Sequence, residues 1–165
     1  MSTLSSAAIP PSVRLRGHSE LPPEPLTALV DLQAKGLIRH IGLSNISQRQ
    51  FVEAQALAKI VCVQNLYNLA HRVVDDLIDS LAAQGIAFVP YFPLGGFRPL
   101  RSPLLDAAAA SLGATTRQVA LAWLLQRSPA MLPIPGTSSI AHLEENLASA
   151  SIRLSADEFR TLASF

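Results

Sequence analysis

Short runs rich in apolar residues return along this 165-residue chain every 22–26 residues, then once more after a longer gap. They are Val13–Arg16, Ile38–Ser44, Ile60–Gln64, Ile86–Tyr91 and Met131–Ile134. A strand with next to no polar residue is covered on both faces. When helices separate such strands, the sheet is parallel, because parallel neighbours need a crossover connection. This pattern predicts an α/β chain of about five parallel strands with crossover helices. A closed barrel of eight βα units typically takes about 250 residues. The chain is too short for one.

The intervening segments carry helix signals. Glu24–Lys35 has Pro25 in its first turn, an apolar face of Leu26, Leu29, Val30 and Gln33-Ala34, and Gly36 as its stop. Ser47-x-x-Gln50 is a capping box opening a helix to about Lys59. Val73–Gln84 aligns Leu77, Ile78 and Leu81 before Gly85, and Leu104–Leu112 is a short helix stopped at Gly113. Thr115-x-x-Gln118 caps a stronger helix, Thr116–Arg127, with Val119, Ala122 and Trp123 on its apolar face. Ile140–Ala150 is the last barrel-type helix, and Ser155-x-x-Glu158 caps a terminal one with Phe159 and Leu162 turned inward. Residues 1–12, rich in Ser, Ala and Pro, read as a weakly ordered segment before one domain at 13–165.

Charge and composition exclude several function classes. A formal net charge of +1, with 15% charged residues, lacks the clustered basic face that nucleic acid or a membrane surface requires. No run approaches the roughly 18 apolar residues of a membrane span, and the start lacks the basic n-region of a secretory signal. Cys62, inside an apolar run, reads as a small buried thiol, and the four histidines show no metal-ligand spacing. A cytoplasmic chain without nucleic-acid, membrane or metal partners is expected.

Parallel βα arrays collect ligands at the carboxyl ends of their strands, and the polar residues of this chain fall there repeatedly. Strand one ends in Arg16-Gly17-His18, strand two in Ser44-Asn45, strand three in Gln64-Asn65, strand four in Tyr91, strand five in Gly136–Ser139. Ser44 and Asn45 offer a hydroxyl and an amide suited to a carboxamide, or else simply start a turn before Ser47. Gln64 adds an amide at strand depth, or is a core glutamine bonded to a loop. Tyr91 presents a flat face for an aromatic ring, or packs the rim. Gly136 allows close backbone approach, Thr137, Ser138 and Ser139 supply hydroxyls, and the following helix start supplies N–H donors and partial positive charge for a phosphate. Glu145 and Asn146, one to two turns on, reach toward an adenine edge or ribose, or face solvent.

Gly42-Leu43-Ser44-Asn45, Gln64-Asn65-Leu66-Tyr67-Asn68, Tyr91-x-Pro93-Leu94-Gly95 and Ile134-Pro135-Gly136-Thr137 through Glu145-Asn146 resemble, in order and spacing, the carboxyl-terminal half of the aldo-keto reductases. The resemblance implies a partial (β/α)8 TIM barrel that transfers hydride between NAD(P)H and a small carbonyl substrate, reducing it to an alcohol. It implies that Ser44, Asn45 and Gln64 hold the nicotinamide carboxamide and Tyr91 stacks on its ring, with Phe92 and Leu94 in the adjoining loop. Gly136, Thr137, Ser138, Ser139 and His142 then meet the adenosine phosphate, and Glu145 and Asn146 the adenine. His142 stands where many members place an arginine, Gly136 where many place a lysine, and Phe92 replaces a small polar residue. NADP(H) is still favoured over NAD(H). No segment matches the family's catalytic Asp, Tyr and Lys, so no catalytic residue is assigned and activity of the chain alone is not expected. The contrasting reading is a non-catalytic nucleotide-binding or interaction module, a split barrel completed by a partner. Open strand edges favour self-association.

Overall fold

The computed structural model describes residues 12–14 and 23–165. Within them the order is β1 (Ser12–Arg14), α1 (Pro23–Ala34), β2 (Ile41–Ser44), α2 (Gln48–Gln55), β3 (Ile60–Leu66), α3 (Asp75–Ala83), β4 (Ala87–Tyr91), α4 (Pro103–Leu112), α5 (Thr116–Arg127), α6 (Ile140–Ala148) and α7 (Ala156–Leu162). The expected alternation holds, and the fold is part of a (β/α)8 barrel. Arg16, Gly17 and His18, and all of residues 1–12 except Ser12, lie outside the described residues.

All three capping boxes form. In each, the cap hydroxyl accepts the N–H three residues on, and that residue's side chain accepts the cap N–H, so two orphan donors are satisfied together. The bonds are 3.2 and 2.9 Å for Ser47 with Gln50, 3.2 and 3.0 Å for Thr115 with Gln118, and 3.2 and 2.8 Å for Ser155 with Glu158. Gly113, at φ 59°, ends α4 in the left-handed conformation that only glycine takes freely.

Two compact units compose the chain, Met1–Val63 and Gln64–Phe165. In the first, β1 and β2 pair in parallel, Val13 opposite Leu43, and β3 begins beside β2. Every residue of β2 is buried, and Leu26, Phe51, Ala54 and Val63 complete the core of this unit. On α1, Leu26 alone is buried; Leu29 and Val30 are half-buried and Ala34 is exposed, so its predicted apolar face is narrower than expected.

In the second unit β3 continues and β4 lies beside it at the edge of the sheet. Trp123 centres its core. The indole stacks on Tyr67 at 6.2 Å and on Phe159 at 5.3 Å, and its Nε1 donates to the Phe159 carbonyl at 3.2 Å. Tyr67 donates to Asp75 at 2.5 Å, and Arg127 ties α5 to α3 through Asp79 at 2.7 Å and Asp75 at 3.3 Å.

Several expectations need correction. Met131–Ile134 does not form a fifth strand; it makes a single parallel bridge between Met131 and Phe88. Phe88 donates to Ala130 and accepts from Leu132, both at 2.8 Å. The next donor in that register is residue 90, a proline with no N–H, so the ladder stops after one rung. β3 runs to Leu66 rather than Gln64, α2 ends at Gln55 rather than near Lys59, and α6 ends at Ala148 in a 3₁₀ turn, Ser149–Ser151. Cys62 is half-buried, and that burial raises its thiol pKa.

Candidate functional site

In the first unit β2 delivers Ser44, 2% exposed, and then Asn45 at φ 56°. Asparagine tolerates this left-handed backbone better than most residues, and it turns the chain out of the strand toward the Ser47 cap. The Asn45 Nδ2 reaches the Ser44 Oγ at 3.5 Å. Hydroxyl and amide therefore sit side by side at the strand end, where the chain turns toward the Ser47 cap.

Four segments of the second unit carry the remaining candidates. Gln64 lies two residues inside the carboxyl end of β3, half-buried between the buried Val63 and Asn65. Its amide makes no hydrogen bond among the described residues. Tyr91 is the last residue of β4 and half-buried, and the next residue, Phe92, adopts φ 54°. Its ring meets Tyr91 edge-on at 5.4 Å and Phe97 at 5.6 Å. Further along this loop Leu94 lines a cavity of about 580 Å³ shared with Leu100, Arg101, Leu105, Thr115 and Arg117.

The amino end of α6 is a collar of hydroxyls. Ser139 is its cap, accepting from the His142 N–H at 3.4 Å, and its own N–H donates to the Thr137 Oγ1 at 3.1 Å. The Ile140 and Ala141 amides, in the first turn, have no acceptor among the described residues, and Gly136, Thr137 and Ser138 are exposed beside them. A Cβ on Gly136 would meet nothing within 4 Å, so the approach is open on that side. Unpaired donors, hydroxyls and the helix dipole suit a phosphate. His142 is exposed one turn in.

Glu145 is turned toward α5. One carboxylate oxygen accepts from the Thr115 hydroxyl, the other from Arg117 at 3.0 Å, and the Gln118 amide reaches its carbonyl at 3.2 Å. The Thr115 bond, then Arg117, holds its carboxyl below the usual glutamate range. Asn146 is half-buried, its carbonyl taking the Ser149 hydroxyl at 2.6 Å. Glu145 thus stands at the rim residues of the cavity rather than in solvent.

Sequence reasoning missed the cavity walls, Leu100, Arg101, Leu105 and Arg117. One signal existed: Arg117 sits in the first turn of a capped helix, where a cation opposes the dipole and an anionic partner elsewhere offsets that cost. Asn68, quoted in the sequence pattern without a role, joins the loops after β3 and β4.

The Aldo/keto reductase family model matches residues 4–165. The chain belongs to that family. It is 61% identical over 137 residues to a pyridoxine 4-dehydrogenase of Escherichia coli (strain K12), covering 83% of this chain and 48% of that one. Among solved structures, an aldo-keto reductase from Klebsiella pneumoniae in complex with NADPH superposes with a TM-score of 0.78 at 30% identity, over 93% of this chain and 57% of that one. A thermostable aldo-keto reductase bound to the inhibitor epalrestat gives 0.82 at 33%, over 93% and 58%. The chain spans about half the length of the curated relatives it matches.

Proposed function

We propose that this chain is the cofactor-holding part of an NADPH-dependent aldo-keto reductase that interconverts a carbonyl and an alcohol. The observation that carries the reading is the α6 amino end: two first-turn amides without acceptors among the described residues, preceded in sequence by Thr137, Ser138 and Ser139. Such a helix start offers hydrogen-bond donors and partial positive charge to an anion such as a phosphate. In the second unit, Gln64, whose amide makes no hydrogen bond among the described residues, is a group to hold a nicotinamide carboxamide, and the Tyr91 face is the surface for its ring; in the first unit the family resemblance gives Ser44 and Asn45 the carboxamide role. The cavity beside Leu94, Thr115 and Arg117 takes the adenosine end. The nicotinamide, when bound, supplies or accepts the hydride. The chain's own residues orient it and keep its phosphates in place; none of them is assigned as the proton donor for the carbonyl oxygen, so turnover by the chain alone is not expected. Pyridoxine, named in the relative 61% identical to this chain, is the first alcohol to test.

Titration calorimetry with NADPH and NADH, beside an aldehyde-reduction assay, tests the reading. NADPH binds and turnover is negligible. An arginine in place of His142 adds one charge-assisted contact to a 2′-phosphate, so His142→Arg tightens NADPH relative to NADH by about tenfold. Absence of binding to either cofactor reduces the α6 amino end to a capped helix; turnover by the wild-type chain shows that a proton donor is present.

A further inference from the structure

Phe92 is a bulky residue at φ 54°, a conformation it reaches only when its surroundings impose it. Three contacts do so. Its carbonyl accepts the Gly95 N–H at 3.0 Å and, from the loop after β3, the Asn68 Nδ2 at 2.9 Å. Its ring lies across Gly96, where an added Cβ would come within 2.6 Å of ring carbons. The Gly95 bond and the Gly96 surface belong to the same loop, so they shape the turn without fixing it to anything else. Asn68 is different, because it reaches across 24 residues of chain.

Asn68 is itself anchored. It is 4% exposed, its Oδ1 accepts the Ala70 N–H at 3.0 Å, and its backbone exchanges two hydrogen bonds with His71 at 3.1 and 3.0 Å. A side chain so anchored transmits the position of the β3 end to the residue that follows Tyr91. We infer that Asn68 is a positioning residue, which holds the Tyr91–Phe92 turn so that the Tyr91 ring is presented to the nicotinamide at a fixed angle. This rests on the role proposed above for Tyr91 and deepens it: the stacking platform is set from the neighbouring strand, through one amide, against the local preference of Phe92.

The test separates the nicotinamide end of the ligand from the phosphate end. Asn68→Asp keeps the shape and loses the donor; Asn68→Ala loses it without adding a charge and serves if the aspartate variant does not fold. Each is titrated with NADPH and with adenosine 2′,5′-bisphosphate, which lacks the nicotinamide. NADPH weakens about tenfold, adenosine 2′,5′-bisphosphate stays unchanged, and amide exchange at Gly95 accelerates. In the Phe92→Gly background the same substitution costs less, since glycine takes the positive φ without a tether. Equal binding by variant and wild type overturns the inference, as does parallel weakening of both ligands or loss of folding in both variants, any of which makes Asn68 merely structural. A wild-type chain that binds neither ligand fails differently: it removes the cofactor reading itself, and this role with it.

Discussion

Glu145 shows how one side chain is redirected by its neighbours. A carboxylate on the second turn of α6 had solvent or a ligand as its apparent destinations, yet Thr115 and Arg117 take both of its oxygens. Because its folded pKa lies below the ordinary value of 4.5, the stabilisation is complete above that value and is lost as pH falls through the lower, folded one. Arg117 is half-exposed, which keeps the contribution small. Glu145→Gln therefore lowers stability by about 0.5–1 kcal/mol at neutral pH. Denaturant melts of the two proteins, repeated down through pH 4, converge in the acid range; a gap independent of pH would show that the charge has no part in the α5–α6 tie.

At the scale of elements, α5 organises the second unit. Val119 through Leu124 are all buried, so the helix is covered on every side, and only its ends carry charge. Its packing partners come from both sides of it along the chain: Tyr67 after β3 and Phe159 on α7 from far away, and the α4 and α6 helices from nearby. Removing the indole of Trp123 empties the meeting point of these elements and deletes a hydrogen bond to Phe159. Trp123→Ala costs about 3–5 kcal/mol, and a thermal melt reads it directly. A loss below about 1 kcal/mol would mean that the stack is incidental. Arg127, at the other end of the helix, closes onto Asp75 and Asp79 and so also complements the dipole at the carboxyl end.

For the whole molecule the question is what covers the surfaces left open. β4 ends the sheet on one side, and on its edge away from β3 it has no ladder partner past its single rung to Met131 among the described residues. Pro90 blunts that edge by removing a donor. A stickier surface is α6, which buries none of its residues and exposes Ile140, Leu143 and Leu147 in a row at helical spacing. The chain is therefore expected to self-associate with rising concentration, and Leu143→Lys to reduce this. Size-exclusion chromatography with light scattering decides: a monomer at high concentration removes the expectation.

Local rules reach far in this chain. Three capping boxes, the left-handed stop at Gly113 and the parallel βα alternation are all readable because each depends on residues within a few positions of one another. The strand ends at Ser44 and Tyr91 were legible for the same reason, since in those two strands the ladder finishes where the apolar run does. Gln64 was legible as a residue but misplaced as a strand end, because β3 is carried two residues further by pairing with its neighbours. Met131–Ile134 reads as a strand on composition, yet whether it forms a ladder depended on which residue of β4 came opposite, and that residue was Pro90. The partners of Glu145 and the tether from Asn68 to Phe92 join positions 24 or more apart in sequence. Nothing within a local window encodes such contacts; they exist only once the helices and strands have packed and fixed the distance between their ends.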